Sequence, residues 1–137
     1  MEFEHFINAQ APVYEQVLRE LKSGRKTTHW MWFIFPQLRG LGHSPMAQLY
    51  AIDSLDQAAR YLQHAILGSR LCECTQLTID AHPRSAEQIF GYIDCMKFRS
   101  SMTLFSLCSP PGNIFEMALA KFYAGEPDAL TVQLLGK

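Results

Sequence analysis

Two stretches of this sequence carry basic residues but no carboxylates, and they hold the side chains best suited to binding an anion. Between Glu20 and Asp53 there are four basic residues, and between Asp94 and Glu116 there are two. We call these stretches the first and the second cationic segment. Together they contain six of the twelve basic residues and none of the thirteen acidic ones, so the rest of the chain has a net charge of −7. If the two segments meet, they form a cationic pocket that an external anion would complete.

The side chains of these segments match the chemistry of a phosphorylated or nucleotide-like ligand. Guanidinium, ammonium and hydroxyl groups bind phosphate oxygens, and an indole ring packs against a planar base or sugar. His29 and Asp94 are the candidate acid–base pair, because histidine titrates near neutral pH. The candidate ligand-binding residues are Arg25, Lys26, Trp30, Trp32, Gln37 and Arg39 from the first segment, and Lys97, Arg99, Ser101 and Thr103 from the second.

Each of these residues also has a purely structural interpretation. The two tryptophans are expected in the hydrophobic core whatever else they do, because large aromatic side chains are mostly buried. Arg25 and Lys26 follow a predicted helix end, where cations interact favourably with the helix dipole. Arg99 can be neutralised by carbonyl groups or by a nearby acid, and His29 can be a hydrogen-bonded core residue. A shared function therefore requires these side chains to converge in space.

Helical signals recur along the chain, and they define the elements that must position the candidate residues. An all-α fold of about seven to eight short helices in one domain, residues 1–137, is predicted. The segment from Thr27 to Phe35 is apolar nearly all round and fits a short buried strand or a helical turn. Because no partner strand is predicted, helix or irregular structure is favoured there. Start signals lie near Pro12, Ser44, Ser54, Ala65, Ser85, Asp94, Asn113 and Asp128.

The helix predicted from Asp94 to about Leu107 is expected at the centre of this fold. Phe98, Met102 and Phe105 share one face of the helix, and further apolar residues occupy its other sides. The basic residues of the same helix then need partners, because burying a bare cation is costly. This conflict between burial and charge marks the helix as part of a candidate site.

Composition and motifs exclude several classes of protein. A net charge of −1 gives no general attraction to nucleic acid or to a membrane surface, and the longest apolar run, Trp30 to Pro36, is too short to span a bilayer. Cys72 and Cys74 point apart on a helix and no second pair lies at zinc spacing, so neither a metal nor a cofactor is predicted. The absence of a secretory signal and the expected reduced cysteines indicate a cytoplasmic location. The sequence gives no oligomeric state.

Two motifs resemble the signature of a known family. The first is GRKTTHWMWFIFPQ at residues 24–37, and the second is KFRSSMTLF at residues 97–105. They resemble the motifs of a bacterial and fungal family of domains of unknown function, whose members are sometimes mislabelled calpastatin. The resemblance covers essentially the whole chain, and it implies a mainly α-helical fold but no activity. Both motifs lie within the cationic segments, which supports a shared site.

The leading hypothesis is a small-molecule domain that binds a phosphorylated or nucleotide-like ligand in a cationic, Trp-lined pocket. This hypothesis extends to an enzyme that acts on the bound ligand. The alternative is a non-enzymatic protein-interaction module. Clustered charges in one concave pocket favour the first hypothesis, and a flat exposed apolar patch favours the second. Nucleic-acid binding is the weakest of the three, because the acidic remainder of the chain repels a long polyanion.

Overall fold

The computed structural model describes residues 2–81 and 84–137, and these form ten α-helices. The prediction of an all-α fold is confirmed, since extended backbone in the described ranges is limited to one parallel bridge between Leu38 and Ile52. This is two more helices than the seven to eight predicted. The additional ones are α1, which the sequence does not predict, and α3, which forms within the apolar segment from Thr27 to Phe35. The helices are α1 (Glu4–Gln10), α2 (Tyr14–Ser23), α3 (Met31–Ile34), α4 (Pro45–Leu49), α5 (Leu55–Gln63), α6 (Ala65–Asp80), α7 (Ala86–Phe90), α8 (Tyr92–Ser106), α9 (Ile114–Tyr123) and α10 (Ala129–Leu134).

Most helices begin where a polar side chain can accept a hydrogen bond from the free backbone N–H groups of the first turn. Ser44, Ser54 and Asn113 each accept such a bond from the third residue of the following helix. Ser85 and Gln88 form a reciprocal capping box at α7. These starts agree with the sequence prediction. None of the helices in the described part of the chain has the length and apolar character that crossing a membrane requires.

Helix α8 occupies the centre of the fold, as predicted, but it begins two residues earlier than expected. Its N-cap is Gly91, whose φ of 82° lets the chain turn directly from α7 into α8, so Asp94 lies in the first turn and not at the cap. Phe98, Met102 and Phe105 are fully buried, and α8 packs against α5, α7, α9 and α10. The residues of the second cationic segment are therefore held on a rigid, buried element.

A glycine in α6 allows this helix to lie directly against the end of α5. A Cβ atom at Gly68 would lie 2.0 Å from the carbonyl oxygen of Leu62, far closer than two heavy atoms can approach. At this point the backbone of α6 therefore packs directly against the backbone of α5, with no side chain between them. Any larger residue must push α5 and α6 apart and disturb the core on which α8 packs.

We expect Gly68→Ala to lower the free energy of unfolding by about 1–3 kcal/mol, as over-packing of a core does. Helix propensity alone predicts the opposite sign, since alanine is favoured over glycine by ~1 kcal/mol inside a helix. Urea denaturation of the wild type and the variant decides between the two effects. Ser69→Ala, at an exposed neighbouring position of α6, is the matched control. A stabilised Gly68→Ala variant would mean that α5 and α6 are not in this close contact.

Candidate functional site

The two cationic segments meet at the carboxylate of Asp94. Lys26 Nζ of the first segment lies 2.8 Å from Asp94 Oδ2, and Lys97 Nζ of the second lies 3.7 Å from Asp94 Oδ1. The side chains of Lys26, Asp94 and Lys97 are 8%, 19% and 26% exposed. The expectation of a pocket without an internal counter-ion is therefore wrong, because the acid at the edge of the second segment folds against both lysines.

Each of these two lysines also lies over a tryptophan ring. Lys26 Nζ is 5.1 Å from the ring centroid of Trp30, and Lys97 Nζ is 5.5 Å from that of Trp32. Both separations are in the range of a cation–π interaction, which favours a fixed position of the ammonium group. Trp30 is buried in the core, whereas Trp32 is only half-buried. The ammonium of Lys97 is thus held at the surface by an aromatic ring and a carboxylate.

A buried carboxylate fixes the loop that carries Lys26. Glu20, at 4% exposure, accepts hydrogen bonds from the backbone N–H groups of Thr27 and Thr28 at 2.7 and 3.0 Å. It also accepts from the Thr28 hydroxyl at 2.5 Å and from Trp30 Nε1 at 3.0 Å. Burial alone would raise the pKa of this carboxyl, but the hydrogen bonds, led by that of Thr28, lower the pKa to about 2. The loop is therefore tied to α2 by an ionised glutamate.

A groove of about 280 Å³ opens beside Lys97, between the first cationic segment, α8 and the start of α10. Its walls combine hydrophobic side chains with a few polar groups, which is the usual composition of a small-molecule site. Tyr92 and Ile93, at the start of α8, are each 68% exposed. The groove is lined by Gln37, Leu41, Gly42, Tyr92, Ile93, Met96, Lys97, Ser100, Asp128 and Leu130.

Arg99 and Thr103 hold the chain that brings Asp128 to this groove. The Arg99 Nε donates a hydrogen bond to the backbone oxygen of Glu126 at 2.9 Å, and its guanidinium lies 5.4 Å from the ring centroid of Tyr123. The Thr103 hydroxyl accepts a hydrogen bond from the backbone N–H of Asp128 at 2.8 Å. Arg99 Nε and the Thr103 hydroxyl are therefore engaged with the chain itself, and a ligand contact by either residue stays a prediction.

Three other predicted residues make no hydrogen bond or ion pair with Asp94 or Lys97 in the described part of the chain. Arg25 lines a separate groove with residues of α2. Arg39 pairs with Asp53 at 2.5 Å, on an exposed part of the surface. His29 is exposed, and within residues 2–81 and 84–137 no hydrogen bond or ion pair joins it to Asp94. The predicted acid–base pair is therefore not assembled, because the two lysines occupy the Asp94 carboxylate.

Two further predicted residues are buried instead of facing a ligand. Ser101 is fully buried one turn beyond Lys97 on α8, and its hydroxyl oxygen has no hydrogen-bond partner among the described residues. Trp30 is enclosed in the core, where its indole N–H donates a hydrogen bond to the Glu20 carboxylate. Of the predicted ligand-binding residues, Lys97 and Gln37 line the groove, and Lys26 and Trp32 lie beside Lys97.

The sequence did not point to Glu20 or to Asp128 as residues of the site. Glu20 had no signal beyond its place at the edge of the first segment, because a buried carboxylate needs donors that only the folded loop supplies. Asp128 was predicted to cap α10, and it does so by accepting hydrogen bonds from Thr131. Its position beside α8 depends on contacts between residues 25 positions apart in the chain.

A second, more polar groove of about 470 Å³ lies on the side of α2 and α7. Its walls carry Lys22 and Arg84 together with Asp80. From the two cationic segments it takes residues 22–24 of the first, and no described residue of α8 lines it. It is therefore a separate location for an anion, against which any assignment to the Lys97 groove must be tested.

Comparison with known proteins agrees with the resemblance found in the two motifs. Residues 1–135 match the profile of a family described as "Protein of unknown function (DUF1810)". The crystal structure of a conserved hypothetical protein from Mycobacterium tuberculosis is similar to this chain at 52% identity and a TM-score of 0.97, covering 99% of this chain and 97% of that one. A search of curated proteins finds no significant match.

Proposed function

This chain belongs to the DUF1810 family of proteins of unknown function, and we propose that it binds a small anionic ligand, phosphorylated or nucleotide-like, in the groove beside Lys97. One observation carries the proposal: two lysines from separate segments share a single carboxylate. Lys26 lies close to one oxygen of Asp94, and Lys97 lies 3.7 Å from the other. The three side chains keep one net positive charge, and Lys97 is the more exposed of its two cations.

The environment of Lys97 favours an anion at that position. Its ammonium is held over Trp32, so little side-chain entropy is lost when a ligand binds. The long separation from Asp94 leaves room for a phosphate oxygen as an additional hydrogen-bond partner, and charge-assisted bonds of this kind are stronger than neutral ones. Trp32 then orients the cation and does not act as a stacking surface for a base.

The proposal is one of binding, and it assigns no acid–base step. Asp94 is engaged by two cations, and His29 is exposed without a bond to it in the described residues. General acid–base catalysis requires a group free to exchange a proton with the ligand. Long nucleic acids are not proposed as partners, because the chain outside the cationic segments carries a net charge of −7. A cytoplasmic location remains a prediction from the sequence.

The second candidate function is a protein-interaction module, and the exposed start of α8 favours it. Tyr92, Ile93 and Met96 are large hydrophobic side chains in contact with solvent, and such patches often mark interaction sites. Lys97 and Asp128 lie within the same walls, however, and charged groups are depleted at the centres of protein interfaces. The mixed lining therefore supports a small, polar ligand more strongly than a protein partner.

We expect inorganic phosphate to raise the melting temperature of the wild type more than chloride does at equal ionic strength, and Lys97→Met to remove that difference. A ligand that binds only the folded state at 100 times its Kd adds about 2.7 kcal/mol to the free energy of unfolding. Phosphate also stabilises proteins by exclusion from their surface, but this effect is the same in both proteins. A screen of nucleotides and sugar phosphates follows the same comparison.

Lys22→Met is the matched control, since it removes the same charge from the polar groove near α7. It should keep the full response to phosphate. A response lost in Lys22→Met and kept in Lys97→Met would move the anion to the other groove. Equal stabilisation of all three proteins would contradict a specific anion site altogether.

A further inference from the structure

The groove beside Lys97 has an acidic end as well as a basic one. Asp128 lines it, and the backbone N–H of Asp128 is bound to the hydroxyl of Thr103 on α8. Lys97 and Thr103 are six residues apart on this helix, which corresponds to a rise of ~9 Å. Among the described residues no ion pair joins Lys97 to Asp128, so the positive and the negative group line one groove without neutralising each other directly.

One oxygen of the Asp128 carboxylate is committed to the fold. Asp128 Oδ2 accepts hydrogen bonds from the backbone N–H and the hydroxyl of Thr131 at 3.0 and 2.6 Å, which caps α10. No hydrogen bond to Asp128 Oδ1 occurs among the described residues. Because a carboxylate accepts several hydrogen bonds, this second oxygen provides an acceptor for a cationic or N–H group at the wall of the groove.

The remaining lining of the groove includes several apolar side chains. Leu41 comes from the first cationic segment, Met96 from α8 and Leu130 from α10. Ser100, which also lines this part, donates its hydroxyl proton to the backbone oxygen of Met96 at 3.1 Å. The groove therefore offers contacts for hydrocarbon together with one positive and one negative group.

We propose that the ligand of this groove is a zwitterion whose anionic group binds Lys97 and whose ammonium group binds Asp128, with an apolar linker between them. This inference rests on the proposed function and names the ligand class of the same site. Charge complementarity at two separated positions selects both the charges of the ligand and the distance between them. A simple anion uses only half of the groove.

The test uses isothermal titration calorimetry with 6-aminohexyl phosphate, hexyl phosphate and hexylamine, and with 3-aminopropyl phosphate and propyl phosphate as a shorter pair. The first has both charged groups, and its extended six-carbon chain spans the ~9 Å rise from Lys97 to Thr103 on α8. It should bind about tenfold more tightly than hexyl phosphate, since one charge-assisted hydrogen bond contributes about that factor. 3-Aminopropyl phosphate, which is too short to bridge the groove, should show no such gain over propyl phosphate.

Asp128→Asn isolates the acidic end without removing the helix cap, because asparagine caps helices as well as aspartate. This variant should bind 6-aminohexyl phosphate no more tightly than hexyl phosphate, and its affinity for hexyl phosphate should be unchanged. Asp56→Asn, an exposed change in α5, is the matched control and should keep the tenfold preference. Thermal melts check that both variants are folded.

The outcomes separate this inference from the proposed function. If both phosphates bind equally well and depend on Lys97, the zwitterion is wrong and the anion site stands. If neither phosphate binds, both proposals fail. A loss of affinity in Asp128→Asn that is equal for both probes would also overturn the zwitterion, because it would show that Asp128 acts only through the shape of the groove.

Discussion

Phe98→Ala is expected to lower the free energy of unfolding by about 3–5 kcal/mol, the cost of emptying a large buried aromatic site. The Phe98 side chain is fully buried, and its ring centroid lies 4.9 Å from those of both Phe35 and Phe90. Phe35 belongs to the first cationic segment, so this contact joins the first segment to α8. Urea denaturation at neutral pH gives the difference directly.

The control for this variant is Met96→Ala, on the exposed side of the same helix. It should change the free energy of unfolding by roughly 0.5 kcal/mol or less, as exposed positions do. A loss below about 1 kcal/mol in Phe98→Ala would contradict a central position of α8. Because Phe98 belongs to the second segment and packs on Phe35 of the first, the surviving folded protein should also lose its response to phosphate.

The burial pattern of α8 was predictable because it depends on local periodicity. Apolar residues on several sides of one helix indicate a central position whatever the neighbours are, and Phe98, Met102 and Phe105 follow that rule. The start of the helix was not predictable from the same pattern. Asp94 has the side chain of a helix cap, but Gly91 allows the chain to turn three residues earlier, and the packing of α7 on α8 decides between them.

The charge pattern predicted which regions meet but not how their cations are neutralised. An uneven distribution of acids is visible in one dimension, whereas the partner of each cation depends on the fold. Lys26 and Lys97 share Asp94, Arg39 pairs with Asp53, and Arg99 Nε donates to a backbone carbonyl. Acids at the edges of the segments fold back onto them, so counting charges within segments overestimates the cationic character of the site.

The part of the groove wall formed by the start of α10 could not be predicted from local sequence patterns. Its residues, among them Asp128 and Leu130, lie near the end of the chain, and their capping and apolar character is explained by α10 alone. The hydrogen bonds from Arg99 and to Thr103, together with the packing of α10 on α8, bring this part of the chain beside α8. Long-range placement of this kind leaves no periodicity or spacing in the sequence.

Glu20→Gln is expected to lower the free energy of unfolding at pH 7 by about 3 kcal/mol. Hydrogen bonds to the buried Glu20 carboxylate lower its pKa from 4.5 to about 2, and each unit of difference from the unfolded chain corresponds to about 1.36 kcal/mol. Glutamine keeps the shape of the side chain but removes the charge. It leaves no cavity, but its NH2 group replaces one acceptor oxygen, so the loss includes the hydrogen bonds to that oxygen as well as the charge.

The dependence on pH follows from the direction of this shift. Because the folded pKa lies below the unfolded value, the contribution is complete above about pH 5 and is lost as the pH falls toward 2. The stability difference between the wild type and Glu20→Gln should therefore shrink over this range, as measured by urea denaturation at several pH values. Glu15→Gln, an exposed change in α2, should show no comparable convergence.

Trp30 provides an independent readout of the same carboxylate in the intact protein. Its indole N–H donates to Glu20 Oε1, so protonation of Glu20 should shift the indole resonance of Trp30 in NMR spectra recorded between pH 5 and 2. Trp32, the other tryptophan of the chain, is the internal reference. An indole shift with a midpoint near pH 4.5 would mean that the carboxylate is not stabilised by the loop. In that case Glu20 could not be what fixes residues 27–30, and the position of Lys26 beside Asp94 would need another cause.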